Sequence, residues 1–425
     1  MASHAPAPQS PSLPWRMSSA MVMGMTGVIS RSLLYGLNSV ETTGFSRFLD
    51  ILNNRQDPET RQRGLLTVSN HVSVVDDPLI WGVLPLNHSF NPSNLRWTLG
   101  AHDICFSNKF FANFFTYGQV LPCHRLKHSA HGGLFQPSLA QAIRLLSSQP
   151  FSSASSSSSP PLEHHDIPDP FTVGALTYTT NGSDSIPAPS VYTRNRHSWV
   201  HVFPEGLVHQ HQARDLRYFK WGVARLILEA EPAPDVLPMF IDGTQNLMPE
   251  DRGFPRFLPR FGKRIRVAFG EVLDYEATFG DLRRQWEGLV RRSNEAAAAA
   301  AAAATTATAT ARNDVKSNGS LFVGLWAKQD TTPASAATTS PATIQQRIMM
   351  LGELPDDLKH SKEAQEIRIE VARRMREAVL KVRKSLGDYP DADPTLGSAD
   401  IWKVEDQVPA KKYKSRVDGS EINQN

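Results

Sequence analysis

Leu65-Leu66-Thr67-Val68-Ser69-Asn70-His71-Val72-Ser73-Val74-Val75-Asp76-Asp77-Pro78 is the stretch that decides how this chain is read. Its first five residues are a short apolar, β-branched run, which predicts a buried strand. Asn70 and His71 fall where that strand ends. Asp76-Asp77-Pro78 has the form of a helix start, an acidic cap with proline at the first helical position. The stretch therefore predicts a tight strand-to-helix turn flanked by His71 and Asp76. An imidazole near neutral pKa can accept a hydroxyl proton. A carboxylate behind it fixes the tautomer and stabilises the imidazolium.

No enzyme nucleophile is needed when the substrate brings its own hydroxyl, and the G-x-S-x-G elbow of a serine hydrolase is missing from the sequence. The spacing of His71 and Asp76 is weak evidence alone, because the chain holds 14 histidines. His164 and Asp169 repeat it among serines and prolines with no strand before them, and that pair reads as a chance match. On spacing alone, a histidine that merely caps a loop remains as good a reading of His71.

A second motif changes the weighing. Trp199-Val200-His201-Val202-Phe203 is another strand candidate, broken by Pro204-Glu205-Gly206. Glu205 then sits at a strand end, where the sites of α/β proteins lie. The plainer reading of Glu205 is a solvated turn residue.

An Asn-His-x4-Asp block followed by Phe-Pro-Glu-Gly resembles the glycerophospholipid acyltransferase family. Arg96-Trp97-Thr98, Asp103-Ile104-Cys105-Phe106, Leu216 to Gly222 and Phe257 to Gly262 are similar to a fungal-type, CoA-independent branch of it. The similarity covers about residues 15–150 and 195–285. It implies an α/β fold like that of glycerol-3-phosphate acyltransferase: a mixed central sheet with flanking helices, and an N-terminal interfacial membrane helix. It also implies a transacylase that moves acyl chains between phospholipids and lysophospholipids and so remodels cardiolipin, with monolysocardiolipin as acceptor. His71 becomes the general base and Asp76 its orienting partner. Arg125, at the end of Gly118 to Arg125, takes the place of the family's basic head-group residue. Phe203, Pro204, Glu205 and Gly206 help to bind the glycerol-phosphate part, and Val236 to Met239 form a strand beside the site. Leu207-Val208 follow Gly206 where many acyl-CoA-dependent relatives carry threonine or a basic residue, which puts their phosphate contacts in doubt. No cofactor is implied. Two other functions stay open: an acyl-CoA-dependent lysophospholipid acyltransferase, and a non-catalytic membrane-binding or assembly protein.

The chain has 425 residues, 40% of them hydrophobic, enough for a large core. A net charge of +3 is too small to argue for nucleic acid, and no basic-aromatic RNA motif occurs. It is compatible with an anionic membrane surface. Arg252, Arg256, Arg260, Lys263, Arg264 and Arg266 form the densest basic stretch, either a solvated face or a lure for lipid head groups. Two cysteines cannot make a disulfide framework, and no H-E-x-x-H pattern points to zinc, so no metal is expected.

No acidic residue precedes Glu41, in the manner of a mitochondrial transit peptide, although Pro6, Pro8, Pro11 and Pro14 oppose a helix at the very start. Met17 to Ile29 is small and apolar, shorter than the ~20 residues of a span, with Met21, Met25 and Val28 on one helical face. This predicts a helix in the membrane interface; a helix docked on its own core is the alternative. The resemblance places the chain peripherally on mitochondrial membranes, facing the intermembrane space.

The expected domains are a proline-rich start and apolar helix over 1–40, the acyltransferase domain over 41–290 with a low-complexity insertion over 150–196, an Ala/Thr-rich insertion over 291–342, a C-terminal helix over 343–386 and a tail over 387–425. Within the domain, Ser138 to Leu146 reads as a short amphipathic helix, Arg217 to Glu229 as a helix, and Val236 to Ile241 and Ile265 to Phe269 as strands. Phe110 to Phe115 reads first as plain core, with an acyl-chain groove or a lipid-dipping face as alternatives.

Overall fold

A computed structural model describes residues 10–126, 128–148, 172–173, 177–255, 257–317, 354–387, 389–398, 412–414 and 421–423. The serine-rich run over 152–161, the His164 and Asp169 pair, Arg256, and the apolar positions Ile344, Ile348 and Leu351 lie outside the described residues.

Seven strands make the central sheet: β1 (Ser39–Thr43), β2 (Leu65–Val68), β3 (Trp97–Ala101), β4 (Val120–Cys123), β5 (Trp199–Val202), β6 (Asp235–Asp242) and β7 (Arg264–Phe269). Their order is β1-β7-β6-β2-β5-β3-β4. All neighbouring pairs are parallel except the β6–β7 pair, so the sheet is mixed. β2 and β5 are interior strands with both faces covered, which explains their short, fully buried and mainly hydrophobic runs. Alternation along the strands divides the interior in two. Leu66, Val68, Val200, Val202, Val236 and Phe240 point into one core, while Leu65, Trp199, Leu237, Met239 and Ile241 point into the other.

Helices α1 (Leu13–Leu37) and α2 (Phe45–Asn54) contribute to the second core. Helix α3 (Lys109–Tyr117) precedes β4. Helices α4 (Pro137–Leu146), α5 (Gly222–Glu229), α6 (Tyr275–Ser317) and α7 (Lys362–Ser385) contribute to the first. Helix α6 runs across residue 290, where the sequence reading placed a domain end. The chain after α7 stays attached for a few residues: Tyr389 bonds Asp242 at 2.8 Å, and Arg383 donates to Pro390 O at 2.9 Å.

Two local expectations are corrected. Helix α5 starts at Gly222 and not at Arg217, because the backbone before it is committed elsewhere. Arg217 N donates to Glu205, Lys220 N donates to Pro204 O, and Arg376 takes the carbonyls of Leu216 and Arg217. Helix α4 forms over the expected stretch and is buried along its whole length, its polar side included: Ser190 Oγ donates to Gln141 Oε1 at 2.6 Å. The aromatic run of α3 is not plain core: Phe110 is 74% exposed, and Phe111 and Phe114 are also exposed.

Helix α1 docks on the core by one face and leaves an apolar face exposed on the opposite side. One face docks: Ser19 Oγ donates to Tyr117 O at 2.7 Å, and Arg31 reaches the carbonyls of Gly82, Val83 and Leu84. The other exposes Leu13, Met17, Met21, Met25, Val28 and Ile29. By length and composition alone the 25-residue helix could cross a membrane.

Candidate active site

The turn after β2 is built by side chains that replace backbone pairing. Asn70 continues the sheet contact after β2 ends: its Nδ2 donates to Ile241 O and its Oδ1 accepts from Ile241 N, both at 2.8 Å. His71 follows, and its Nδ1 lies 2.9 Å from Asp76 Oδ2. The same carboxylate oxygen accepts from Val72 N at 2.7 Å and Ser73 N at 2.8 Å, while Oδ1 accepts from Thr244 Oγ1 at 2.5 Å. Asp76 therefore folds back onto the turn it closes instead of capping the next helix, which corrects the sequence reading. Asp77 is extended (φ −100, ψ 118) inside the following helical turn, as the residue before a proline prefers.

The Asp76 side chain is fully buried and the His71 side chain is 22% exposed. With Nδ1–H donating to Asp76, the neutral ring presents a lone pair at Nε2, which has no partner among the described residues. The ring stacks on Phe203 with centroids 4.4 Å apart. His201 lies behind it, bonded to Thr67 Oγ1 at 2.8 Å, and burial holds its pKa well below the ordinary range. It is a neutral core histidine.

Glu205 does not point outward. Its Oε1 accepts from His71 N at 2.9 Å and its Oε2 from Arg217 N at 3.1 Å. His209 N donates to His71 O at 2.8 Å, so the loop after β5 grips both backbone groups of His71. Gly206 has φ +70, and a Cβ there would fall 2.8 Å from Lys220 Cδ. Pro204 is buried and holds Lys220 N through its carbonyl.

Burial pushes the Glu205 carboxyl from an ordinary 4.5 up to about 7. The folded protein then holds this proton more tightly than the unfolded chain between those values. Its contribution to stability is present below pH 4.5 and falls as pH rises to about 7, by roughly 1–3 kcal/mol. Glu205→Gln, which cannot ionise but sets its NH₂ against one of the two backbone N–H donors, is expected to be less stable overall and to lose that slope. Urea denaturation of both proteins at pH 5 and pH 7.5 checks it; an unchanged slope in the variant counts against the assignment.

Arg125 lies further along the same edge of the sheet, just after β4. It pairs with Asp103, through Nε at 3.0 Å and through a second, shorter guanidinium contact. The structure does not join it to the His71–Asp76 pair. His102, His124 and Asp184 lie nearby, with possible metal-ligating atoms within 4.8 Å of one another. His124 already spends its ring nitrogens on Ser129 Oγ and Thr180 Oγ1, each at 2.9 Å. Its ring stacks on that of His102 at 4.0 Å, so the lone pairs run side by side rather than converging. Binding a metal here would require those bonds to open.

In the basic stretch, Arg264 pairs with Glu41, and Arg266 with Asp242. Between these and Arg252 the loop exposes Phe254, Phe257, Leu258 and Phe261. Sequence reasoning gave no role to Asn70 or Thr244. Asn70 stood in the quoted motif, whereas no spacing rule links Thr244 to Asp76, 168 residues away.

No family model matches the chain. It is 32% identical over 400 residues to tafazzin of Saccharomyces cerevisiae, covering 92% of this chain and 84% of the yeast protein. It is 29% identical over 214 residues to N-acylphosphatidylethanolamine synthase of Arabidopsis thaliana, covering 50% of this chain and 56% of that one. Among solved structures, the lysophosphatidic acid acyltransferase PlsC of Thermotoga maritima matches 64% of this chain and 77% of its own, with 16% identity and a TM-score of 0.33. The likeness to the yeast protein extends over nearly the whole chain, and the chain belongs to the tafazzin family of acyltransferases.

Proposed function

We propose that the chain is a CoA-independent phospholipid–lysophospholipid transacylase that remodels cardiolipin, with monolysocardiolipin as acceptor and the chemistry carried by residues 41–290. The observation that carries the reading is a partly exposed imidazole whose Nδ1 is held by a buried carboxylate while Nε2 is open at the end of a central strand. Nε2 takes the proton of the lysophospholipid hydroxyl as its oxygen attacks the donor's ester carbonyl. Asp76 stabilises the imidazolium. Collapse of the tetrahedral intermediate breaks the donor ester, and Nε2 returns the proton to the departing oxygen. One ester replaces a similar ester, so no ATP or CoA is consumed.

Phe203 and Glu205 serve through His71, by stacking on its ring and holding its backbone. Arg125 reaches a phosphate by exchanging its partner Asp103. Three exposed apolar patches support a lipid surface as the working environment. The helices that carry the α1 methionines and the α3 phenylalanines touch through Ser19 and Tyr117, and the Phe254 to Phe261 loop is tied to the end of α1 by Gly262 N donating to Leu37 O. Kinship with the tafazzins argues that this surface is an anionic mitochondrial membrane. Phe110→Ser with Phe114→Ser is expected to weaken partition onto cardiolipin-containing vesicles roughly tenfold or more, from the apolar area lost. Vesicle co-sedimentation at moderate salt reads this out, and unaltered partition contradicts the assigned face.

The test of the function uses purified protein in mixed vesicles and follows labelled acyl chains from phosphatidylcholine to monolysocardiolipin. Transfer with CoA absent is expected. Transfer only on addition of acyl-CoA identifies an acyl-CoA-dependent enzyme, and none under either condition identifies a membrane-binding protein.

A further inference from the structure

Asp76 is fully buried and its two oxygens are used unequally. His71 Nδ1, Val72 N and Ser73 N converge on Oδ2, all from the turn that Asp76 closes. Oδ1 faces the other way, and its donor there is Thr244 Oγ1, itself on a fully buried residue. A buried carboxylate oxygen without a donor is costly, and a charge-assisted O–H donor is among the stronger partners. Thr244 is delivered from β6 by a constrained route. Asn70 clamps Ile241, and Gly243 then turns the chain at φ +97, where a Cβ would lie 2.0 Å from Arg264 O. Gln245 Oε1 accepts from Gly243 N at 2.8 Å and closes the turn from the far side. The motif residue Asn70 thus locks the strand that carries Thr244 back to the motif residue Asp76.

We propose that Thr244 is a positioning residue of the acyl-transfer site: its hydroxyl holds Asp76 Oδ1 so that Oδ2 stays turned toward His71 Nδ1. The inference rests on the His71–Asp76 reading and deepens it. Without the hydroxyl, no other donor among the described residues holds Oδ1 against rotation of the carboxylate about its Cβ–Cγ bond. The imidazole then loses its fixed direction, while the substrate surface is untouched.

Thr244→Val keeps the shape of the side chain and removes the hydroxyl; Thr244→Ser keeps the hydroxyl and removes a methyl group. Acyl transfer from phosphatidylcholine to monolysocardiolipin, with acceptor concentration varied, separates kcat from KM. Thr244→Val is expected to lower kcat roughly 10- to 100-fold, the cost of one hydrogen bond to a charged group, with KM within about twofold of wild type. Thr244→Ser is expected to recover most of that kcat. Wild-type kcat in the valine variant, or a serine variant as slow as the valine one, overturns the inference and leaves Thr244 a packing residue. His71→Ala run in parallel separates the two claims. If it transfers at the wild-type rate, the base assignment itself fails; if it is inactive while Thr244→Val is normal, only the role of Thr244 falls.

Discussion

Asparagine at position 76 is expected to slow acyl transfer roughly 10²–10⁴-fold while leaving the protein folded. The side chain can keep its place. Its amide oxygen can accept from His71 Nδ1, Val72 N and Ser73 N where Oδ2 did, and its NH₂ can donate to Thr244 Oγ1, reversing that bond. What disappears is the negative charge that, in the proposed mechanism, stabilises the imidazolium formed when Nε2 takes the acceptor's proton. The loss should therefore appear in turnover, with lipid partition and the circular dichroism spectrum unchanged. Alanine is a harsher change, because it leaves the amides of Val72 and Ser73 buried without an acceptor, at about 1–3 kcal/mol each. An asparagine variant with more than a tenth of wild-type turnover contradicts the assigned role of Asp76.

The largest stability effect is expected at Arg96. Its guanidinium pairs with Asp77, next in sequence to Asp76, and the two side chains are 5% and 12% exposed. Trp81 Nε1 donates to the same carboxylate at 3.0 Å, and Arg96 also reaches Gly118 O at 3.3 Å and Met23 Sδ at 3.7 Å. One side chain thus ties the motif turn to the residues before β4 and to α1. Arg96→Ala strands a buried carboxylate, and about 3–5 kcal/mol of stability should be lost. Arg96→Ala with Asp77→Ala is expected to lose clearly less than the two single variants added together. Urea denaturation of the four proteins measures the coupling, and additive losses would show that the pair contributes nothing.

The parts of the site legible in sequence were those whose partners are close in the chain or whose pattern is repetitive. His71 and Asp76 stand five residues apart across one turn, so their pairing needed only a strand before it. β2 and β5 were visible because interior parallel strands carry mainly apolar, β-branched runs. The mixed sheet was expected from family resemblance, and the chain adopts it.

What escaped depends on long-range bonds. Arg217 to Trp221 have the composition of a helix, yet Glu205, Pro204 and Arg376 claim their backbone groups, and no local propensity records that competition. Glu205 was expected to face substrate, as a strand-end acid often does, but two amides from different loops turn it inward. Phe110 to Phe115 was read as core because aromatic runs usually are. The spacing of Phe110, Phe111 and Phe114 puts all three on one helical face, and that pattern was the available sign of a shared exposed surface.

The His71 imidazole is the group proposed to start transfer. Its most direct test measures CoA-free acyl transfer from phosphatidylcholine to monolysocardiolipin by His71→Ala, in vesicles to which the variant binds as well as wild type does. Turnover at least a hundredfold below wild type is predicted; a rate equal to wild type would contradict the account.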